Sequence, residues 1–113
     1  MSEQEGLEGV KLTIQAVNIT VDDDFRDRVA QALVKLRRYY SGNVTTAEVF
    51  MREEAHNGPD QKSLRIRYGV PGSDVFAEES GENWDAMLNT VTGKLKHQLD
   101  RKFVNSQNSY RNQ

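Results

Sequence analysis

The sequence predicts an α+β two-layer sandwich in the order β-α-β-β-β-α, with a four-stranded sheet carrying two helices on one face. Three observations predict it. Apolar residues alternate with polar ones in the segments near 10–16, 45–54, 63–68 and 75–78, the period of half-buried strands. They recur every three or four residues in 25–40 and 84–99, the period of helices with one apolar stripe. Two such stripes need an apolar surface to cover, and a sheet with one apolar face provides it.

The first nine residues hold Glu3, Glu5 and Glu8 with two glycines, and they read as a flexible acidic tail ahead of a domain spanning 10–104. Val10 to Ala16 alternates as the first strand. Asp22, Asp23 and Asp24 then supply N-cap candidates and suit the positive end of a helix dipole. Phe25, Val29, Ala32, Leu33, Leu36 and Tyr40 fall on one face of a helix of about four turns, and Gly42 follows as a stop. Thr45 to Glu54 sets Ala47, Val49 and Met51 against Glu48, Phe50 and Arg52. A turn is expected at Asn57-Gly58-Pro59-Asp60. Leu64, Ile66 and Tyr68 next oppose Arg65 and Arg67, and a turn at 70–74 leads to a short strand at 75–78.

Ser80-Gly81-Glu82 is read as opening the second helix, whose stripe is Trp84, Met87, Leu88, Val91, Leu95 and Leu99 and whose end is expected near Phe103. Residues 105–113 read as a polar C-terminal tail. The helix between strands one and two leaves room for those strands to pair in parallel by a right-handed crossover. Short turns make the later strands antiparallel neighbours.

At 113 residues the chain has the size of one domain. The absence of cysteine removes disulfides and thiolate metal sites and fits a reducing cytosol. The acidic start has no apolar core of a signal peptide, and no apolar run reaches bilayer length, so a cytoplasmic protein without a membrane partner is expected. Asn18-Ile19-Thr20 and Asn43-Val44-Thr45 match a glycosylation sequon by chance on this reading.

Catalysis finds little support. His56 and His97 lack local ligand spacing to carboxylates, and no Gly-rich loop leads from a strand into a helix. The acids at 22–24, 53–54 and 78–79 read as caps and solvated strand ends rather than a magnesium site or an acid–base pair. No enzyme activity, cofactor, metal or small-molecule substrate is expected.

Charge carries the functional signal. The chain is net acidic at −2. Even so, Arg26, Arg28, Lys35, Arg37 and Arg38 leave an excess of four positive charges between 25 and 40. Lys94, Lys96, Arg101 and Lys102 leave an excess of three between 94 and 103. Lys94, His97 and Arg101 stack as one row on the second helix, and Lys35 and Arg38 stand one turn apart on the first. Two basic ridges flanking a groove would suit a phosphate backbone. Basic residues in last turns also satisfy the helix dipole and aid solubility, and on charge alone that plainer reading ranks first. The open sheet face offers Phe50, Arg52, Arg65 and Arg67 as a rival surface for unpaired bases or a partner subunit, without the aromatic-rich strands of an RNA recognition motif.

Four runs resemble the ribosome hibernation-promoting factors and ribosome-associated inhibitors, also known as sigma-54 modulation or S30EA-like proteins. They are Asn18-Ile19-Thr20-Val21, Val34-Lys35-Leu36-Arg37-Arg38-Tyr39, Val75-Phe76-Ala77-Glu78-Glu79-Ser80-Gly81-Glu82-Asn83 and Gly93-Lys94-Leu95-Lys96-His97-Gln98-Leu99. The resemblance covers about residues 10–104 and implies a factor that binds the small ribosomal subunit in the channel of mRNA and tRNA and silences translation in resting cells. It implies RNA contacts from Arg26, Lys35, Arg38, Lys94, His97 and Arg101, with Tyr39 matching an aromatic at the end of the first helix. Gly93 stands where the family usually has an acid, Asp85 where it has an aromatic, and Asp100 where it has a polar or basic residue. The length resembles the short form, without the second domain that pairs two ribosomes in the long form, so a monomer or at most a weak dimer is expected. The alternative is a protein-interaction or regulatory module that keeps this fold away from the ribosome.

Overall fold

A computed structural model describes residues 6–19, 21–40, 43–53, 62–72 and 74–111. Its elements run β1 (Lys11–Val17), α1 (Asp23–Tyr39), β2 (Thr46–Glu53), β3 (Lys62–Gly69), β4 (Val75–Gly81) and α2 (Trp84–Arg111). The sheet order is β1-β2-β3-β4, with β1 parallel to β2 and the other two pairs antiparallel. This is the predicted β-α-β-β-β-α sandwich. The expected turn at 57–60, His56, Glu54 and the helix stop at Gly42 lie outside the described residues.

The alternation in β2 and β3 decides which face is covered. Ala47, Val49, Met51, Leu64, Ile66 and Tyr68 are all 2% exposed or less. Phe25, Val29, Leu33 and Leu36 of α1 and Met87, Leu88, Val91, Leu95 and Leu99 of α2 join them in one core. The α1 stripe is rotated slightly from the expected one. Ala30 is buried, while Ala32 and Tyr40 pack only at the margin. The Tyr68 hydroxyl donates to the Leu33 carbonyl oxygen at 3.1 Å, so the one polar group of this layer has a partner inside it.

Two helix starts show local chemistry. Asp22 caps α1, its Oδ1 accepting from the Phe25 N–H at 2.7 Å, with Asp23 and Asp24 in the first turn. The second helix opens later than expected. Ser80 and Gly81 complete β4, and Asn83 caps α2 by accepting from the Ala86 N–H at 2.9 Å. A side-chain amide two residues past the strand competes better for the orphan N–H groups than Ser80, whose backbone is held in the ladder opposite Ser63. Helical backbone also continues past Phe103 to Arg111. No Gly or Pro interrupts that stretch, so the intrahelical bonds propagate once the packed part is formed.

The largest departure from expectation is at the start. Residues 1–9 read as a loose tail, yet Leu7 is 1% exposed in the core. Gly6 makes this possible: its φ of +89° is a left-handed conformation, and a Cβ there would lie 2.8 Å from Val34 Cγ1. The Gly6 carbonyl oxygen accepts from Arg37 Nη1 at 3.1 Å, and the Gly6 N–H donates to Glu8 Oε2 at 3.1 Å. Backbone N–H groups around it hold the Glu8 carboxyl below the usual range.

The sheet edges differ. On β4, Gln98 of α2 accepts from the Phe76 N–H at 3.2 Å and donates to the Phe76 carbonyl oxygen at 2.7 Å. On β1, no side chain is fully buried, and Val17 is 45% exposed.

Replacing Leu7 by Ala should lower unfolding free energy by about 2–5 kcal/mol, read as a shifted denaturant midpoint at constant slope; a change below about 0.5 kcal/mol would mean the segment carries no core load. Burial pushes the Tyr68 phenol up to about 12, with the Arg37 charge acting in the opposite direction. Its stability contribution is therefore complete below pH 10, the ordinary tyrosine value, and is lost as pH rises from there toward 12. Tyr68→Phe should cost about 1 kcal/mol at neutral pH and flatten the alkaline decline in a pH series of urea melts.

Candidate nucleic-acid interface

Since β2 is antiparallel to β3 and β3 to β4, strand β4 runs parallel to β1. Each helix follows one of these two strands and returns across the same face. The helices therefore lie side by side and parallel, with Arg28 opposite Asp85 and Tyr39 opposite Lys96 and Asp100. Between them is an open groove of about 760 Å³. Ala32, Leu36 and Leu88 line its floor, and Lys35, Tyr39 and Lys96 stand on its walls.

Side-chain contacts close both ends. Arg28 Nε donates to Asp85 Oδ1 at 2.7 Å and its Nη2 to Oδ2 at 3.3 Å, while the guanidinium lies 5.5 Å from the Phe25 ring centroid. At the other end the Tyr39 hydroxyl donates to Asp100, and Lys96 Nζ lies 4.6 Å from the Tyr39 ring centroid. The hydrogen bond to Asp100 is the main cause of a raised Tyr39 phenol pKa, with desolvation and the carboxylate charge adding to it. Asp85 and Asp100 thus both tie α1 to α2. Gly93 faces open space: nothing lies within 4 Å of where its Cβ would be.

The structure gathers the expected residues into three places. Lys35 and Tyr39 line the groove. Lys94, His97 and Arg101 do form one row, but it faces away from α1, along a shallow depression between α2 and β4. Lys94 is held there, donating to the Glu78 carbonyl oxygen at 3.1 Å and to Glu79 Oε1 at 3.0 Å. Arg38 is exposed on α1, and Arg26 lies about 200° around that helix from Arg28, off the groove. A groove flanked by the two expected ridges is therefore not what forms: the cation of α2 that faces α1 is Lys96. Its spacing could have shown this, since residues 94 and 96 differ by about 200° on a helix. Residues 85, 89, 92, 93 and 96 fall on one stripe. Arg28 and Gly93 were missed for the same reason.

Among the described residues, no carboxylate pairs with Lys35, Arg38, Lys96 or Arg101. Each is exposed on the helix layer. Other cations are spent within the fold: Arg28 on Asp85, Arg37 on Gly6 and Glu8, Lys94 on Glu79, and Arg67 on Asp74 at 3.2 Å. On the open sheet face Phe76 is 47% exposed, with the Arg65 guanidinium 5.0 Å from its ring centroid. Among the described residues, no group of three or more His, Asp or Glu side chains could hold a metal ion, and no helix is long and apolar enough to cross a membrane.

Residues 12–103 match the model of the family described as sigma 54 modulation protein / S30EA ribosomal protein. Among solved structures, the N-terminal domain of Protein Y from Thermus thermophilus is similar at a TM-score of 0.67 and 25% identity, over 79% of this chain and 93% of that one. A ribosomal subunit interface protein from Coxiella burnetii shares the fold at a TM-score of 0.70 and 14% identity, over 83% of this chain and 98% of that one. Four matching runs, the element order and a family match over most of its length lead to one assignment: the chain belongs to the sigma 54 modulation protein / S30EA ribosomal protein family, a ribosome-associated family.

Proposed function

We propose that the protein is a translation-silencing hibernation factor of the cytoplasm that binds rRNA of the small ribosomal subunit and blocks the mRNA and tRNA channel in resting cells. Family membership supports the ribosome as partner. The observation that carries the RNA contact is the set of exposed cations on one layer that have no carboxylate partner among the described residues, Lys35, Arg38, Lys96 and Arg101. A net charge of −2 gives no global attraction. Local phosphate contacts can still form where the acids of the same layer are neutralised, and Asp85 is held by Arg28.

The mechanism is steric. Lys and Arg side chains hold backbone phosphates as point charges and forks, and the sandwich then occupies space that mRNA and tRNA need. His97 and Arg26 contribute at the margins of the contact, and Lys94 acts chiefly by fixing α2 on β4. No bond is made or broken, so inhibition reverses when the protein dissociates.

Salt is the first test. Each neutralised phosphate releases counterion, with a log–log slope of about −0.9 on duplex B-DNA and about −0.7 on single strands, so retention should fall steeply between low and moderate salt. In pelleting assays with purified small subunits, Lys35→Glu combined with Arg101→Glu should weaken binding about tenfold or more while leaving the circular dichroism spectrum unchanged, since both side chains are exposed. Wild-type retention by the double variant would overturn the reading. Failure of the unaltered protein to pellet would favour the alternative, a protein-interaction module using the exposed Phe76 face.

A further inference from the structure

We infer that the groove between α1 and α2 receives a single nucleotide unit, its base between the helices and its phosphate between Lys35 and Lys96. The inference rests on the RNA-binding reading for the class of ligand and goes beyond it in naming a pocket. The groove volume of about 760 Å³ lies within the range of small-molecule sites, about 300–1,000 Å³. Its floor is apolar, from Ala32, Leu36 and Leu88, and can take the face of a flat ring. Gln31 and Asn89 flank that floor from opposite helices with side-chain amides, which donate to and accept from base edges.

Charge complementarity selects an anion. Lys35 and Lys96 stand on facing helices, and among the described residues neither has a carboxylate partner. The acid in the lining, Asp85, is held by two hydrogen bonds from Arg28, so it does not oppose a phosphate with an unpaired charge. Lys96 rests on the Tyr39 ring 4.6 Å from its centroid, a weak hold that a phosphate can displace or share. The hydrogen bond from Tyr39 to Asp100 and the Arg28–Asp85 pair fix the helix spacing at both ends, so the groove exists before any ligand arrives.

The same chemistry could be a free nucleoside monophosphate or an unpaired nucleotide within RNA. The test follows backbone amide signals of the full-length protein by NMR during titration with AMP, inorganic phosphate and a single-stranded oligoadenylate. The expected result is shifts at Gly93, Asn89 and Lys35 with AMP and the oligonucleotide, and affinity for phosphate alone weaker by about tenfold or more. Oligonucleotide binding tighter than AMP assigns RNA as the source. Equal or tighter AMP binding assigns the free nucleotide. Lys35→Gln with Lys96→Gln should weaken AMP about tenfold or more, since both side chains line the groove.

AMP shifts away from the groove, or wild-type affinity in the Lys35→Gln, Lys96→Gln variant, would overturn the inference. Groove binding of AMP by a protein that does not pellet with small subunits would uphold the pocket and remove the ribosome reading. Pelleting without any groove response would do the reverse.

Discussion

Everything in this molecule follows from burying one face of the two central strands. Ala47, Val49 and Met51 of β2 and Leu64, Ile66 and Tyr68 of β3 present a flat apolar strip, and neither helix alone covers it. The two helices must share it. Because both leave from strands of the same direction, they share it in parallel, and that direction sets the last turn of α1, with Arg37 and Arg38, beside the middle of α2 at Lys96 and Asp100. Helix dipoles favour cations at C-terminal ends, which suits Arg37 and Arg38 in the last turn of α1.

The remaining charges act within the fold rather than outward. Arg28 with Asp85, Lys94 with Glu79 and Arg37 with Glu8 each join separate elements. All are at least partly exposed, so each contributes little to stability. Their effect is on direction: they fix which flank of each helix is occupied and which is left to solvent. Asp85 and Asp100 illustrate this, each joining α2 to α1 by accepting from Arg28 and from Tyr39 respectively.

Most of the fold was legible because the periods were clean. Ala47-x-Val49-x-Met51 and Leu64-x-Ile66-x-Tyr68 can bury their apolar residues only as strands, and the buried set is the one the alternation names. The margins were not legible. Leu7 stood alone in an acidic stretch, and its burial depends on a left-handed Gly6 and on Val34, a residue far off in sequence. Asn83 displaced Ser80 as the cap because strand pairing with β3 extended to Gly81, which no local rule encodes. For the interface, residue types were right but sidedness was not. A row of cations at helical spacing says which residues share a flank, and only packing tells which flank faces the other helix. That is why Lys94, His97 and Arg101 lie over β4 while Lys96 looks across at Lys35.

The amide of Gln98 gives the sheet an asymmetry with consequences for assembly. Its two hydrogen bonds to Phe76 imitate a neighbouring strand, so the outward N–H and C=O of that residue are already satisfied. A second chain arriving along β4 would find a glutamine in the place it needs and an α-helix behind it. Growth of the sheet by strand addition is opposed on that side by Gln98 and, two residues along the same edge, by the ammonium of Lys94 on the Glu78 carbonyl oxygen.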